Sequence, residues 1–180
     1  MSLNGVRVAL FVEDLYQTLE AWYPYLRLQE AGADVTVVGS GRKDSFISEE
    51  NYPMAPDKSI HDVTSAEFDA VVVPGGYAPD HMRLVPEMVT FVREMFEAGK
   101  LTTSVCHGGW ILASAGALKG GRRLTGYPPI KDDVVNAGGT WVEDAPLVED
   151  GNVITARAPW DLHLFGKAIV DYLEKNVASR

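Results

Sequence analysis

The segment Cys106-His107-Gly108-Gly109 carries the only thiol of the chain, with an imidazole directly after it. An ionised thiol is a strong nucleophile, and an adjacent imidazole can move protons. Cys106 follows the expected strand Leu101 to Val105 and precedes the apolar stretch Trp110 to Ala117, so it falls where a strand turns sharply into a helix. Other α/β enzymes place a serine nucleophile at such an elbow. The glycines permit a tight turn, and the N–H groups and positive dipole end of the helix favour thiolate over thiol. This reading expects an exposed Cys106 with a lowered pKa. The competing reading is a buried structural cysteine. For His107 to serve as its base the turn must be unusual, because neighbouring side chains ordinarily diverge.

Two further segments follow apolar strands and should reach the same edge of the sheet. Pro74-Gly75-Gly76 is either a plain turn or an oxyanion hole, whose amides, with that of His107, would hold charge on a substrate oxygen. Glu20 is either a solvated helix residue or a carboxyl turned into the sheet edge. Held close to a thiolate, it would keep its proton and donate a hydrogen bond to sulfur. His61, His81 and His163 lack paired metal-ligand spacing, and no metal or cofactor is expected. Gly39-Ser40-Gly41-Arg42-Lys43 lacks both the dinucleotide pattern and the P-loop ending and reads as a turn.

The elements that must position these residues alternate. Strands are expected at 7–12, 34–38, 68–73, 101–105, 140–142 and 152–156, with short β pieces and loops over 39–67. Helices are expected after Asp14, which with Gln17 reads as a cap, and over 86–98, 110–117, 130–137 and 159–176. In the first helix Leu15, Leu19, Trp22 and Leu26 recur at helical spacing, Pro24 should kink or restart it, and Gly32 should end it. Alternation of this kind implies a flavodoxin-like, doubly wound α/β fold, mostly parallel, with helices on both faces and ligands outside the carboxyl ends of the strands.

Composition sets the outer limits. With 180 residues, 46% of them hydrophobic, the chain suits one domain whose core needs no disulfide. A net charge of −9 without any basic run argues against nucleic acid as a partner. No apolar stretch approaches the roughly 18 residues of a membrane span, and the amino terminus lacks a charged segment followed by an apolar one. A lone cysteine fits a reducing compartment, so a cytoplasmic protein is expected.

Several segments together resemble a known family. Tyr23-Pro24-Tyr25-Leu26-Arg27-Leu28, Phe68 through Gly76, Ser104-Val105-Cys106-His107-Gly108, Gly126-Tyr127-Pro128-Pro129-Ile130-Lys131-Asp132-Asp133 and Asn136-Ala137-Gly138 are similar, in identity and order, to PfpI-type members of the ThiJ/PfpI superfamily. The resemblance implies that Glu20, four residues before the helix proline, hydrogen-bonds Cys106. It implies a homo-oligomer, a dimer or a hexamer, in which Asp80 joins the Cys106-His107 pair of a neighbouring subunit. Asp80 stands where the family more often has Glu, and Gly109 where it often has Pro. Gly75, Gly76, Gly108 and Tyr127 are the expected oxyanion and substrate contacts. Three activities follow from the resemblance: a cysteine hydrolase acting on peptides, a cofactor-independent glyoxalase or deglycase acting on an aldehyde or its adducts, and a noncatalytic sensor through cysteine oxidation.

Overall fold

The computed structural model describes residues 2–178. Its elements run β1 (Arg7–Val12), α1 (Thr18–Ala31), β2 (Asp34–Gly39), β3 (Phe46–Ile47), β4 (Pro53–Met54), β5 (Lys58–Ser59), β6 (Ala70–Val73), α2 (Ala78–Met82), α3 (Pro86–Glu97), β7 (Leu101–Val105), α4 (Gly109–Ala115), β8 (Arg123–Leu124), α5 (Lys131–Asn136), β9 (Thr140–Trp141), β10 (Leu147–Asp150), β11 (Val153–Ala156) and α6 (Leu162–Leu173). β6 and β7 are buried along their whole length and β1 from Val8 onward, because helices cover both faces of the sheet.

The main sheet has the order β10-β11-β7-β6-β1-β2-β5. Every pairing is parallel except β10 with β11. This is the expected flavodoxin-like arrangement. The chain leaves β1 toward β2 and later returns to β6 on the other side of β1, so the crossover changes direction there. A crevice opens at such a point, outside the carboxyl ends of the strands. Among the described residues no helix is long and apolar enough to cross a membrane.

The beginning of α1 differs from expectation. Gln17, not Asp14, caps the helix, its side chain accepting the Glu20 amide at 3.0 Å. Asp14 is drawn away to the Ile47 amide and Lys43. The helix does not restart at Pro24, which is buried inside it. Packing against α6 offsets the lost bond, and Gly166 there admits the ring of Tyr23, which an added Cβ would meet at 2.8 Å. The apolar stripe is also not the inward face: Leu19 and Leu26 are each 56% exposed, whereas Glu20 is fully buried.

The segment between β1 and α1 crosses over the turn after β6. Tyr16 and Gly76 form an isolated antiparallel bridge, and the Tyr77 amide donates to the Leu15 carbonyl at 2.9 Å. Gly76 has φ +69°, and a Cβ on it would lie 2.3 Å from the Leu15 oxygen. Gly76→Ala should therefore cost on the order of 2–4 kcal/mol, combining left-handed strain with a backbone clash. Urea denaturation measures it; an unchanged midpoint would mean that this crossing is not rigid.

Candidate active site

Cys106 ends β7 and opens a single 3-10 turn, Cys106–Gly108, that leads into α4. Its φ is +58°, a conformation that costs a non-glycine residue about 1–2 kcal/mol. The strained turn is packed in place. A Cβ on Gly108 would lie 2.7 Å from the Val73 carbonyl oxygen, and one on Gly126 3.0 Å from that of Cys106. Gly108 is thus a packing residue that lets the elbow lie against β6.

The same turn brings two adjacent side chains together. His107 Nδ1 lies 3.4 Å from Cys106 Sγ. Three aromatic rings surround the imidazole, those of Trp110, Tyr127 and Tyr77, at centroid distances of 5.0, 5.1 and 5.9 Å. Burial holds its pKa below the usual value and so favours the neutral ring.

Glu20 reaches the elbow from the first turn of α1. Its Oε2 accepts the Gly75 amide at 2.7 Å. Carboxyl and thiol are close enough to act on one another's ionisation, while the buried Oε1 has no hydrogen-bond partner among the described residues. Burial lifts the Glu20 pKa to about 8, and the charges of Glu49 and Glu50 add to the rise. Burial also pushes the Cys106 thiol upward, followed by the charge of Glu20, while the Gly76 and His107 amides pull it back by hydrogen bonding to sulfur. Two anions cannot share this space, so at neutral pH the pair keeps at least one proton. Burial is the largest cause of the rise on both groups, so Glu20 and Cys106 each favour the protonated, neutral form at neutral pH.

These contacts correct two expectations. Cys106 is 6% exposed and its pKa is raised, because burial and the carboxyl outweigh the helix end. The Gly75 amide is committed to Glu20, which leaves Gly76 and His107 as the donors at the sulfur. Glycine is nonetheless required at 75, where a Cβ would lie 2.5 Å from Glu20 Oε2 and 2.7 Å from Cys106 Cβ. Tyr127 does stand at the site, its amide donating to the Cys106 carbonyl at 3.1 Å. Asp80 lies exposed on α2, and among the described residues nothing joins it to His107 by hydrogen bond or ion pair. No three His, Cys, Asp or Glu side chains are grouped as metal ligands among those residues.

Sequence reasoning missed the acidic loop that fixes the entry to α1. Glu50 accepts from Gln17 Nε2 at 2.9 Å, from Thr18 Oγ1 at 2.6 Å and from the Thr18 amide at 3.2 Å. Thr18 Oγ1 also lies 2.6 Å from Ser48 Oγ. Glu50 and its neighbour Glu49 belong to no motif, and the pairing of β3 with β4 brings them here.

The profile of the DJ-1/PfpI family matches residues 6–172. The chain belongs to the DJ-1/PfpI family. Among DJ-1/PfpI relatives it is 42% identical over 169 residues to a deglycase of Pyrococcus abyssi, covering 94% of this chain and 100% of that protein. It is 35% identical to protein/nucleic acid deglycase 2 of Escherichia coli, covering 89% and 94%. A Bacillus subtilis relative named provisionally as a cysteine protease is 31% identical, covering 93% and 98%. Drosophila melanogaster DJ-1beta superimposes with a TM-score of 0.88 at 28% identity, covering 96% and 92%.

The raised carboxyl has a consequence for stability. An acid whose pKa is about 8 when folded and 4.5 when unfolded contributes stability that is complete below about pH 4.5 and is lost as pH rises through about 8. The unfolding free energy of the wild type should therefore decline over that interval relative to Glu20→Gln. The difference between the two proteins isolates the carboxyl, because His107, shifted the other way, acts at lower pH in both. Parallel pH profiles in chemical denaturation would return Glu20 to an ordinary pKa.

Proposed function

We propose that the chain is a cysteine-dependent deglycase that releases an amine from its adduct with an α-oxoaldehyde. The observation that carries this reading is the buried Glu20 carboxyl, its pKa raised, packed with Cys106 around Gly75, because such chemistry needs one group that both gives and takes a proton beside the nucleophile. The deglycase names of similar proteins add weight to it over a peptidase.

The adduct is a carbinolamine, with nitrogen, hydroxyl and hydrogen on the carbon next to a ketone. Cys106 sulfur bonds to that carbon as the C–N bond breaks, and Glu20 delivers its proton to the departing nitrogen. His107, neutral and 3.4 Å from the sulfur, takes the thiol proton. The resulting hemithioacetal then loses its C–H proton to the Glu20 carboxylate. Return of a proton to the former ketone carbon gives a thioester of a 2-hydroxy acid, an internal redox exchange that needs no external oxidant. Water cleaves the thioester and restores the thiol. The Gly76 and His107 amides, already directed at the sulfur, offer donors to the oxygen on the neighbouring carbon.

We further propose that the site works within a homo-oligomer. Leu15, Leu19 and Leu26 expose an apolar surface around α1, and the exposed Asp80 side chain makes no hydrogen bond or ion pair among the described residues. Light scattering should show at least a dimer at micromolar concentration, and Asp80→Ala should slow turnover; a monomer with full activity would sink this part.

Cys106→Ser should abolish amine release from methylglyoxal-treated N-acetyl-lysine. Glu20→Gln should reduce it by roughly 10²–10⁴-fold while Cys106 still reacts with iodoacetamide. Retained amine release in Cys106→Ser, or cleavage of casein by the wild type without amine release, would overturn the reading.

A further inference from the structure

Next to the elbow lies a cavity of about 630 Å³ that the chemistry above does not use. Its lining includes Tyr127, Trp141, Trp160, Lys131, Asp144 and Arg157. The volume suits a small ligand or a large side chain. Tyr127 belongs to both places, since it lines the cavity while its amide holds the Cys106 carbonyl and its ring touches His107. A group released at the sulfur therefore has this cavity as its neighbour.

The lining has a definite chemical character. The indole of Trp160 is left in water, 63% exposed, although burying it would be favourable. Of the two cations, Lys131 is paired with Glu143, and Arg157 is held by both oxygens of Asp161, at 2.9 and 3.3 Å. Asp144 is the remaining charge. It is exposed, at φ +52°, and makes no hydrogen bond or close ion pair among the described residues, although its charge reaches Arg157. The cavity thus offers aromatic faces and one uncommitted carboxylate, in a chain of net charge −9.

We propose that this cavity is the subsite for the amine-bearing part of the substrate and takes the guanidinium of a peptide arginine. A planar, weakly hydrated cation stacks on aromatic rings and pairs with a carboxylate, which suits arginine better than the compact, strongly hydrated ammonium of lysine. A nucleotide would bring its phosphate into a lining whose two cations are already paired. The place of the subsite in turnover rests on the deglycase reading; its binding does not.

The test uses the full chain carrying Cys106→Ser, which cannot turn over. Titration with Nα-acetyl-arginine methylamide should change tryptophan fluorescence saturably, and binding should weaken about tenfold with Trp160→Ala or Asp144→Asn added. Asparagine tolerates the left-handed backbone at 144, so the second variant keeps the fold. In the otherwise native enzyme, Trp160→Ala should raise KM for a methylglyoxal-treated arginine peptide about tenfold, with kcat and the rate of Cys106 alkylation unchanged. Unsaturable titration, equal binding by Trp160→Ala, or tighter binding of guanosine monophosphate than of the arginine amide would overturn the proposal. Saturable binding that needs Trp160 in a protein with no amine release would uphold the subsite and sink the deglycase reading.

Discussion

Two buried acids side by side, the Glu20 carboxyl and the Cys106 thiol, govern the geometry at this sheet edge. Each group is an acid taken out of water, and charge on either makes charge on the other harder to bear. A buried carboxylate without a partner is costly, which is why Oε2 takes the Gly75 amide and the coupled thiol is the natural neighbour for the rest of the group. The arrangement tolerates one negative charge and supplies donors for it on the sulfur side from Gly76 and His107. A site of this kind changes its protonation together with the charge on sulfur, which is the behaviour proton transfer at an adjacent carbon demands.

Holding two acids in contact requires backbone that ordinary residues resist. Gly75 must lack a side chain because Glu20 and Cys106 occupy the space, and Gly76 must bend left-handed under the Leu15 carbonyl. Cys106 adopts the same left-handed region with a side chain, and a 3-10 turn follows at once. The strain is small beside what anchors it. β6 and β7 are wholly buried on either side of the turn, and Gly108 presses it onto the end of β6. The rigid sheet thus over-determines the elbow, and the strain brings His107 Nδ1 back toward the sulfur.

The parallel core was readable because its strands are short runs of apolar and small hydroxyl residues bounded by turn residues, and β1, β7 and β11 lie where those runs were expected. The antiparallel edge strand β10, Leu147–Asp150, was not, since Glu149 and Asp150 interrupt the pattern of a strand solvated on its outer face. Periodicity misled on α1, where a stripe of leucines faces outward and a glutamate faces in. Hydropathy alone cannot signal a carboxyl that is buried because it keeps its proton. Cys106, His107 and Gly76 were found from their position after strands, whereas Glu49 and Glu50 reach the site through tertiary pairing that no local pattern records.

Those two acids also bear on what the site will accept. Glu50 stays ionised, its pKa lowered by the Thr18 and Gln17 hydrogen bonds despite some burial, and so keeps a fixed negative charge near the helix that carries Glu20. Burial favours the neutral form of the His107 imidazole, so the ring does little to offset that charge. An anionic substrate would then enter a space with a fixed negative charge and no free cation in the immediate pair. A neutral carbonyl adduct meets no such penalty, and an amine leaving as a cation is favoured by the same field. The electrostatics that keep the proton on Glu20 therefore also set the sign of the group the site can best release.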